Sequence, residues 1–226
     1  MRCRPQDARA SPADPSEMTG RHNPTSPQPV FVITGTSGEG KSTLARELVK
    51  RVPELELAVS ATTRPQRPGE QDGRDYWFIS EGEFDRRLAE GEFLEWVELP
   101  WGPGYRSGTL WSEIERIGNR DKAPLLEIET GGALAVHERV PGAVTIFVTA
   151  PSREALESRL RARATESEGE IEERLDVAER QLELESVFDH RIVNDDLERA
   201  LGELEEIVRG ALDGAGSIPA RDSSSH

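Results

Sequence analysis

A run of β-branched and aromatic residues, Val30 to Thr34, leads straight into the glycine-rich stretch GTSGEGKS at Gly35 to Ser42. Beyond it, Leu44, Leu48 and Val49 recur at helical spacing until Pro53. That order reads as buried strand, tight turn, helix. The turn fits the phosphate-binding pattern GxxxxGK[ST], in the context that pattern requires. Glycines let successive backbone N–H groups turn inward around a phosphate, and the following helix presents the positive end of its dipole. Gly35, Thr36, Ser37, Gly38, Glu39 and Gly40 are the expected cradle, and Lys41, Ser42 and Thr43 open the helix. Lys41 is predicted to reach the β- and γ-phosphates of a nucleoside triphosphate, with the Ser42 hydroxyl on a bridging Mg²⁺. The motif is silent about what accepts the phosphoryl group.

The rest of the chain supplies a sheet for such a loop. Ala58–Ser60, Tyr76–Ile79, Phe93–Leu99, Leu125–Glu129, Val144–Val148 and Arg191–Val193 read as strands. Helices are predicted over Glu83–Glu90, Ala133–Arg139, Arg153–Arg163, Ile171–Glu185 and Leu197–Leu212. Strands alternating with helices predict an α/β fold, a mainly parallel sheet with helices on both faces. The stretch Asp75–Thr109, with its short strands and one short helix, reads as an insertion in that sheet. Residues 1–28, rich in Pro, Ser, Ala and Asp, lack an apolar period and read as a disordered arm. Residues 214–226 read as a disordered tail, which leaves one domain over 29–213. Met18 offers a second start inside the arm.

Charge narrows the partners. The formal net charge of −15 argues against a nucleic-acid or acidic-membrane surface, either of which needs a basic face. A nucleotide ligand is compatible, because phosphates need only a local cluster of donors. Lysine occurs only as Lys41, Lys50 and Lys122, so Lys41 in the loop is unlike filler. No apolar run is long enough to span a membrane and no signal-peptide core is present. The lone cysteine, Cys3, allows no disulfide framework, and a reducing, cytoplasmic setting is expected.

A second constellation follows the first helix. Arg64 and Arg67, stiffened by Pro65 and Pro68, form a fork suited to a phosphate monoester. Read alone, the pair serves equally well as an exposed loop pairing with surplus acids. Glu95, amid Phe93, Leu94 and Trp96, reads alone as the solvent-facing position of an edge strand.

Together these landmarks resemble the guanylate kinase family. The resemblance runs from Val32 to about Leu212. It is carried by the loop at Gly35, SATTRPQRPGE at Ser60 to Glu70, GRDY at Gly73 to Tyr76 and FLEW at Phe93 to Trp96. LLEIE at Leu125 to Glu129 and VNDD at Val193 to Asp196 follow in order. It implies a P-loop kinase fold with an acceptor-binding insertion over about 60–109 and a mobile helical lid over about 159–176. Arg64, Arg67 and Tyr76 match residues that hold the GMP phosphate, and Ser60, Glu95 and Thr109 match guanine-reading positions. Tyr105 and Glu129 join that acceptor set. Arg159, Arg163 and Arg174 match lid arginines that close on the ATP phosphates beside Lys41, and Asn194 matches the adenine side. Glu127 is a second candidate Mg²⁺ ligand after Ser42.

Chemistry supports the transfer: a carboxylate accepts from both N1–H and the exocyclic amine of guanine, and adenine offers neither donor there. The sequence departs from the family pattern at Glu127 and Glu129, where aspartates are usual, and at Gly131, where glutamine is usual. About two extra residues precede Thr109, which bears on Tyr105 and the shape of the acceptor pocket. The resulting expectation is ATP + GMP = ADP + GDP, with Mg²⁺, and with no nucleic-acid, membrane or protein partner. The alternatives are a related kinase with another phosphorylated acceptor, such as a ribose bisphosphate, and a non-catalytic interaction module of the same fold.

Overall fold

The computed structural model describes residues 28–36, 39–99, 103–162 and 168–215. The predicted arm to residue 27, the tail from 216, and Ser37, Gly38 and Arg163 lie outside the described residues. In chain order the first elements are β1 (Phe31–Gly35), α1 (Lys41–Arg51), β2 (Leu55–Leu57), β3 (Ala61–Thr62) and β4 (Trp77–Phe78). Then come α2 (Glu81–Ala89), β5 (Phe93–Glu98), β6 (Arg106–Leu110), α3 (Trp111–Gly118) and β7 (Ala123–Glu127). The chain closes with α4 (Thr130–Arg139), β8 (Val144–Thr149), α5 (Arg153–Ala162), α6 (Glu168–Leu182), β9 (His190–Val193) and α7 (Leu197–Ala215).

Five of these strands make one parallel sheet in the order β2-β7-β1-β8-β9. Every residue of β1 is buried, as expected of a central strand covered on both faces. Alternation sorts its side chains. Phe31 and Ile33 join Leu125, Ile146 and Val148 beneath α1 and α7, whereas Val32 joins Leu126 and Phe147 beneath α3 and α4. A slip of one residue would exchange those faces. With each large apolar side chain contributing about 1.5–3 kcal/mol by burial, the register is firmly set. On α7, Leu201, Leu204 and Val208 are fully buried, and Ile207 packs partly buried against the same core.

The insertion forms its own four-stranded sheet, order β4-β3-β6-β5. Its small core is Ala61, Phe84, Phe93 and Leu110, with the Phe84 and Phe93 rings stacked 4.4 Å apart.

Several boundaries differ from the sequence reading. The strand expected at Ala58–Ser60 is the crossing between the sheets: Ala58 N–H donates to Leu125 O at 2.9 Å, and Ser60 O accepts from Trp77 N–H at 2.9 Å. One extended run is therefore divided between two ladders. β6 and α3 were not anticipated, because RSGTL lacks the apolar alternation that marks a strand. The strand expected to reach Glu129 ends at Glu127, and α4 begins at Thr130, because Gly131 and Gly132 are helical despite their low propensity. The closing helix continues to Ala215, so Gly214 and Ala215 belong to it rather than to a tail.

Candidate active site

The phosphate loop leaves β1 beside β8. At Gly35, φ is +136° and an added Cβ would lie 1.9 Å from Val148 O, so only glycine fits between the strands. Gly40, at φ +81°, turns the chain into α1. Thr43 N–H then donates to Gly40 O at 3.0 Å in the first helical turn. Lys41 Nζ curls back over the loop and donates to the backbone oxygens of Gly35 (2.8 Å) and Thr36 (2.7 Å). Ser42 Oγ donates to Glu127 Oε1 at 2.6 Å, so the helix start meets the end of β7. The site thus opens at the carboxyl ends of the parallel strands, the usual place for ligands in such sheets.

Around the loop, Thr36 Oγ1 donates to Glu39 Oε1, and Asn194 Nδ2 donates to Glu39 O at 2.6 Å. Arg159 reaches in from α5, donating to Asn194 O at 2.7 Å and facing Glu39 Oε2 at 3.5 Å. Burial pushes the Glu39 carboxyl above the usual range, opposed by the hydrogen bond from Thr36 and by the charges of Arg159 and Lys41. Of the three predicted lid arginines, Arg159 is therefore seated at the loop. The backbone at Arg174 belongs to α6.

From Ser42 and Glu127 a cleft of about 640 Å³ runs to Ser60, Arg64, Arg67 and Tyr76 in the insertion. Arg64 is 8% exposed and forms a bidentate pair with Glu70, at 2.8 and 2.5 Å. Its guanidinium lies 4.8 Å from the Tyr76 ring centroid. Those hydrogen bonds hold the Glu70 carboxyl below its usual range, and burial raises the Tyr76 hydroxyl above its own. Arg67 donates its backbone N–H to Glu70 Oε2 at 2.7 Å and leaves its side chain at the cleft.

Behind Ser60 lies a cluster of buried polar side chains. Glu95 of β5 and Thr109 of β6 are register partners, and Thr109 N–H donates to Glu95 Oε1 at 2.8 Å. Ser60 Oγ lies 3.5 Å from Thr109 Oγ1. At 2% exposure Glu95 is no solvent-facing edge residue. Burial pushes its carboxyl up to about 7, with the charge of Glu129 adding to the rise and Thr109 opposing it. Glu129 stands at the N-cap position of α4, where its backbone oxygen accepts from Ala133 N–H at 2.9 Å and its side chain makes no capping hydrogen bond.

The family model for guanylate kinase matches residues 27–211. The chain belongs to the guanylate kinase family. It is 45% identical over 179 residues to the guanylate kinase of Symbiobacterium thermophilum, covering 79% of this chain and 83% of that one. To the guanylate kinase of Rubrobacter xylanophilus it is 46% identical over 185 residues, 82% and 95% of the two chains. Among solved structures, the guanylate kinase of Anaplasma phagocytophilum superposes with a TM-score of 0.67 at 28% identity, covering 82% of this chain and 86% of that one.

In this guanylate kinase family member, Ser60, Arg64, Arg67 and Tyr76 share the cleft with Ser42 and Glu127, and Glu95 and Thr109 sit just behind. Tyr105 is not among the residues that line this cleft. It lies where β5 turns into β6, with its carbonyl accepting from Leu99 N–H at 2.6 Å, beyond the terminal register pair Glu98–Arg106. Glu70, Arg46, Arg74 and Asp75, to which the sequence motifs assign no role, also line the cleft. Arg46 was open to discovery, since it lies one helical turn beyond Ser42 on the same face. Asp75 pairs with its chain neighbour Arg74 and with Arg46 of α1, and the second is a contact between distant segments that no local pattern marks.

Proposed function

We propose that this chain transfers the γ-phosphoryl group of ATP to the phosphate of GMP, giving ADP and GDP. The observation that carries the reading is one cleft that runs from Ser42 of the phosphate loop to the buried Arg64, whose guanidinium lies over the Tyr76 ring, with Glu95 behind it. Backbone N–H groups of the loop and Lys41 hold the ATP phosphates, and the acceptor phosphate is oriented by Arg64, Arg67 and Tyr76. Glu95, as carboxylate, accepts from guanine N1–H and amine, while Thr109 fixes its other oxygen. Arg159, with Arg163 and Arg174 as its lid companions, supplies positive charge where the equatorial oxygens gain negative charge in a loose in-line transition state. Closure of the lid over residues 159–176 excludes water and so suppresses ATP hydrolysis.

Ser42 Oγ and Glu127 Oε1, at 2.6 Å separation, are two hard oxygen donors beside the loop. That donor set suits Mg²⁺, which takes few protein ligands and completes its shell from phosphates and water. When bound there, Mg²⁺ neutralises triphosphate charge. Residues 29–213 are the catalytic unit in this reading, and the cytoplasmic setting rests on the lone Cys3.

The test is ADP release from ATP·Mg²⁺ with GMP, IMP, AMP and a ribose bisphosphate as acceptors. Strong preference for GMP is expected. Equal use of another acceptor, or no turnover with any, overturns the assignment.

A further inference from the structure

Two glycines open α4, and nothing in the proposed chemistry uses either. Gly131 is exposed, and an added Cβ would lie 3.3 Å from Val97 Cγ1, a contact that a small side-chain shift relieves. Gly132 is buried, and an added Cβ would fall 2.2 Å from Glu95 Oε2 and 3.0 Å from Glu95 Cδ. Helix propensity favours alanine at such a position, so local energetics argue against glycine here. What argues for it is a carboxylate oxygen from another element.

Glu95 has little freedom to give way. Its Oε1 is held by Thr109 N–H at 2.8 Å. Its backbone is closed in from the opposite strand by Gly108, where an added Cβ would lie 2.6 Å from Glu95 O and 2.8 Å from Trp96 Cβ. The next inward residue, Phe93, is stacked on Phe84. The side chain is therefore seated between two glycines, one beneath its backbone and one against its carboxylate.

We propose that Gly132 is a positioning residue for acceptor specificity. The space left by its missing Cβ holds Glu95 Oε2 in register with Thr109 and with the purine edge. A side chain at 132 turns the carboxylate away while leaving the phosphate loop untouched. The inference rests on Glu95 reading guanine, as proposed above.

The experiment uses the full chain as wild type, Gly132→Ala, Glu95→Ala and the double variant, with steady-state kinetics and thermal melting of each. Gly132→Ala should raise KM for GMP about tenfold or more, with KM for ATP within about twofold, and should narrow the GMP-over-AMP preference. It should lower the melting temperature in the wild-type background. With Glu95→Ala the clash is gone, and the same alanine should leave melting unchanged or raise it. A Gly132→Ala chain that fails to fold, beside a double variant that folds, supports the inference through melting alone.

Three results overturn it: a KM for GMP within about twofold of wild type, equal losses for GMP and ATP, or the same melting loss in both backgrounds. A double variant that also fails to fold overturns it too, because glycine is then needed for its backbone alone. Wild type inactive toward GMP sinks the functional assignment instead. The melting comparison then still decides whether Gly132 seats Glu95.

Discussion

Arg159 donates to the backbone oxygen of Asn194 at 2.7 Å and faces the buried Glu39 carboxylate at 3.5 Å, so a residue of α5 is docked on the phosphate loop. The guanidinium is thus already beside the loop that is proposed to hold the phosphates. Arg159→Ala should lower kcat by about two orders of magnitude or more, the scale of comparable electrostatic contributions to a transition state. KM for GMP should change far less. Single-turnover and steady-state rates of the folded variant check this, and a kcat within threefold of wild type, about 0.7 kcal/mol, removes Arg159 from the transition state.

Lys41→Ala should abolish transfer while leaving the melting temperature near that of wild type. Among the described residues, the Lys41 ammonium hydrogen-bonds to the backbone oxygens of Gly35 and Thr36 at the loop, away from the apolar core. A rate loss of at least about two to three orders of magnitude is expected. Circular dichroism beside the ADP-release assay separates lost chemistry from lost fold.

In its proposed role, Glu95 should make acceptor use depend on pH. Its carboxyl, pushed up to about 7, is protonated in the free protein below that pH and then no longer accepts from both guanine donors. KM for GMP should rise by about tenfold per pH unit below neutrality, beyond the profile left by the GMP phosphate itself. Glu95→Gln reports that residual profile. It should also weaken GMP by roughly 2–4 kcal/mol with ATP unaffected. A mutant with wild-type preference for GMP over IMP would show that the base is read elsewhere.

The same shift has a stability consequence of fixed sign. The folded state keeps the Glu95 proton up to about pH 7, whereas the unfolded chain releases it near 4.5. This contribution is complete below the unfolded value and is lost as pH rises through the folded one. Glu95→Gln should therefore gain on wild type between those limits, by at most roughly 3 kcal/mol. Melting curves at pH 5 and pH 8 measure the difference, and a gain that shrinks as pH rises contradicts it.

Glu70 braces Arg64 with two hydrogen bonds. Glu70→Ala should leave Arg64 charged but loosely held, raising KM for GMP by about tenfold while sparing KM for ATP. Isothermal titration with each nucleotide distinguishes the two sites.

How far the sequence revealed this site depends on the range of the signal. β1, the loop and α1 were legible because strand, glycines, Lys41 and Ser42 are consecutive and each follows from local sterics and charge. The grouping of Arg64, Tyr76, Glu95 and Thr109 was reached through resemblance, since their meeting requires pairing between strands many residues apart. Glu95 read alone suggested an exposed edge, because alternation gives the face of a strand but not what packs on it. Gly132 was invisible for a further reason. Its contribution is an absent atom, which leaves no side-chain signature, and helix propensity pointed the wrong way.

Glu95 also lies on a seam. It belongs to β5 of the small sheet, while its carboxylate rests against α4, which covers the large one. The chain passes between these two plates at Ala58–Ser60 and returns where β6 becomes α3. A tilt of one plate on the other can leave every ladder bond within each sheet intact, yet it must move the Glu95 oxygen relative to Gly132. The carboxylate proposed to read the base thereby also registers the angle between the plates.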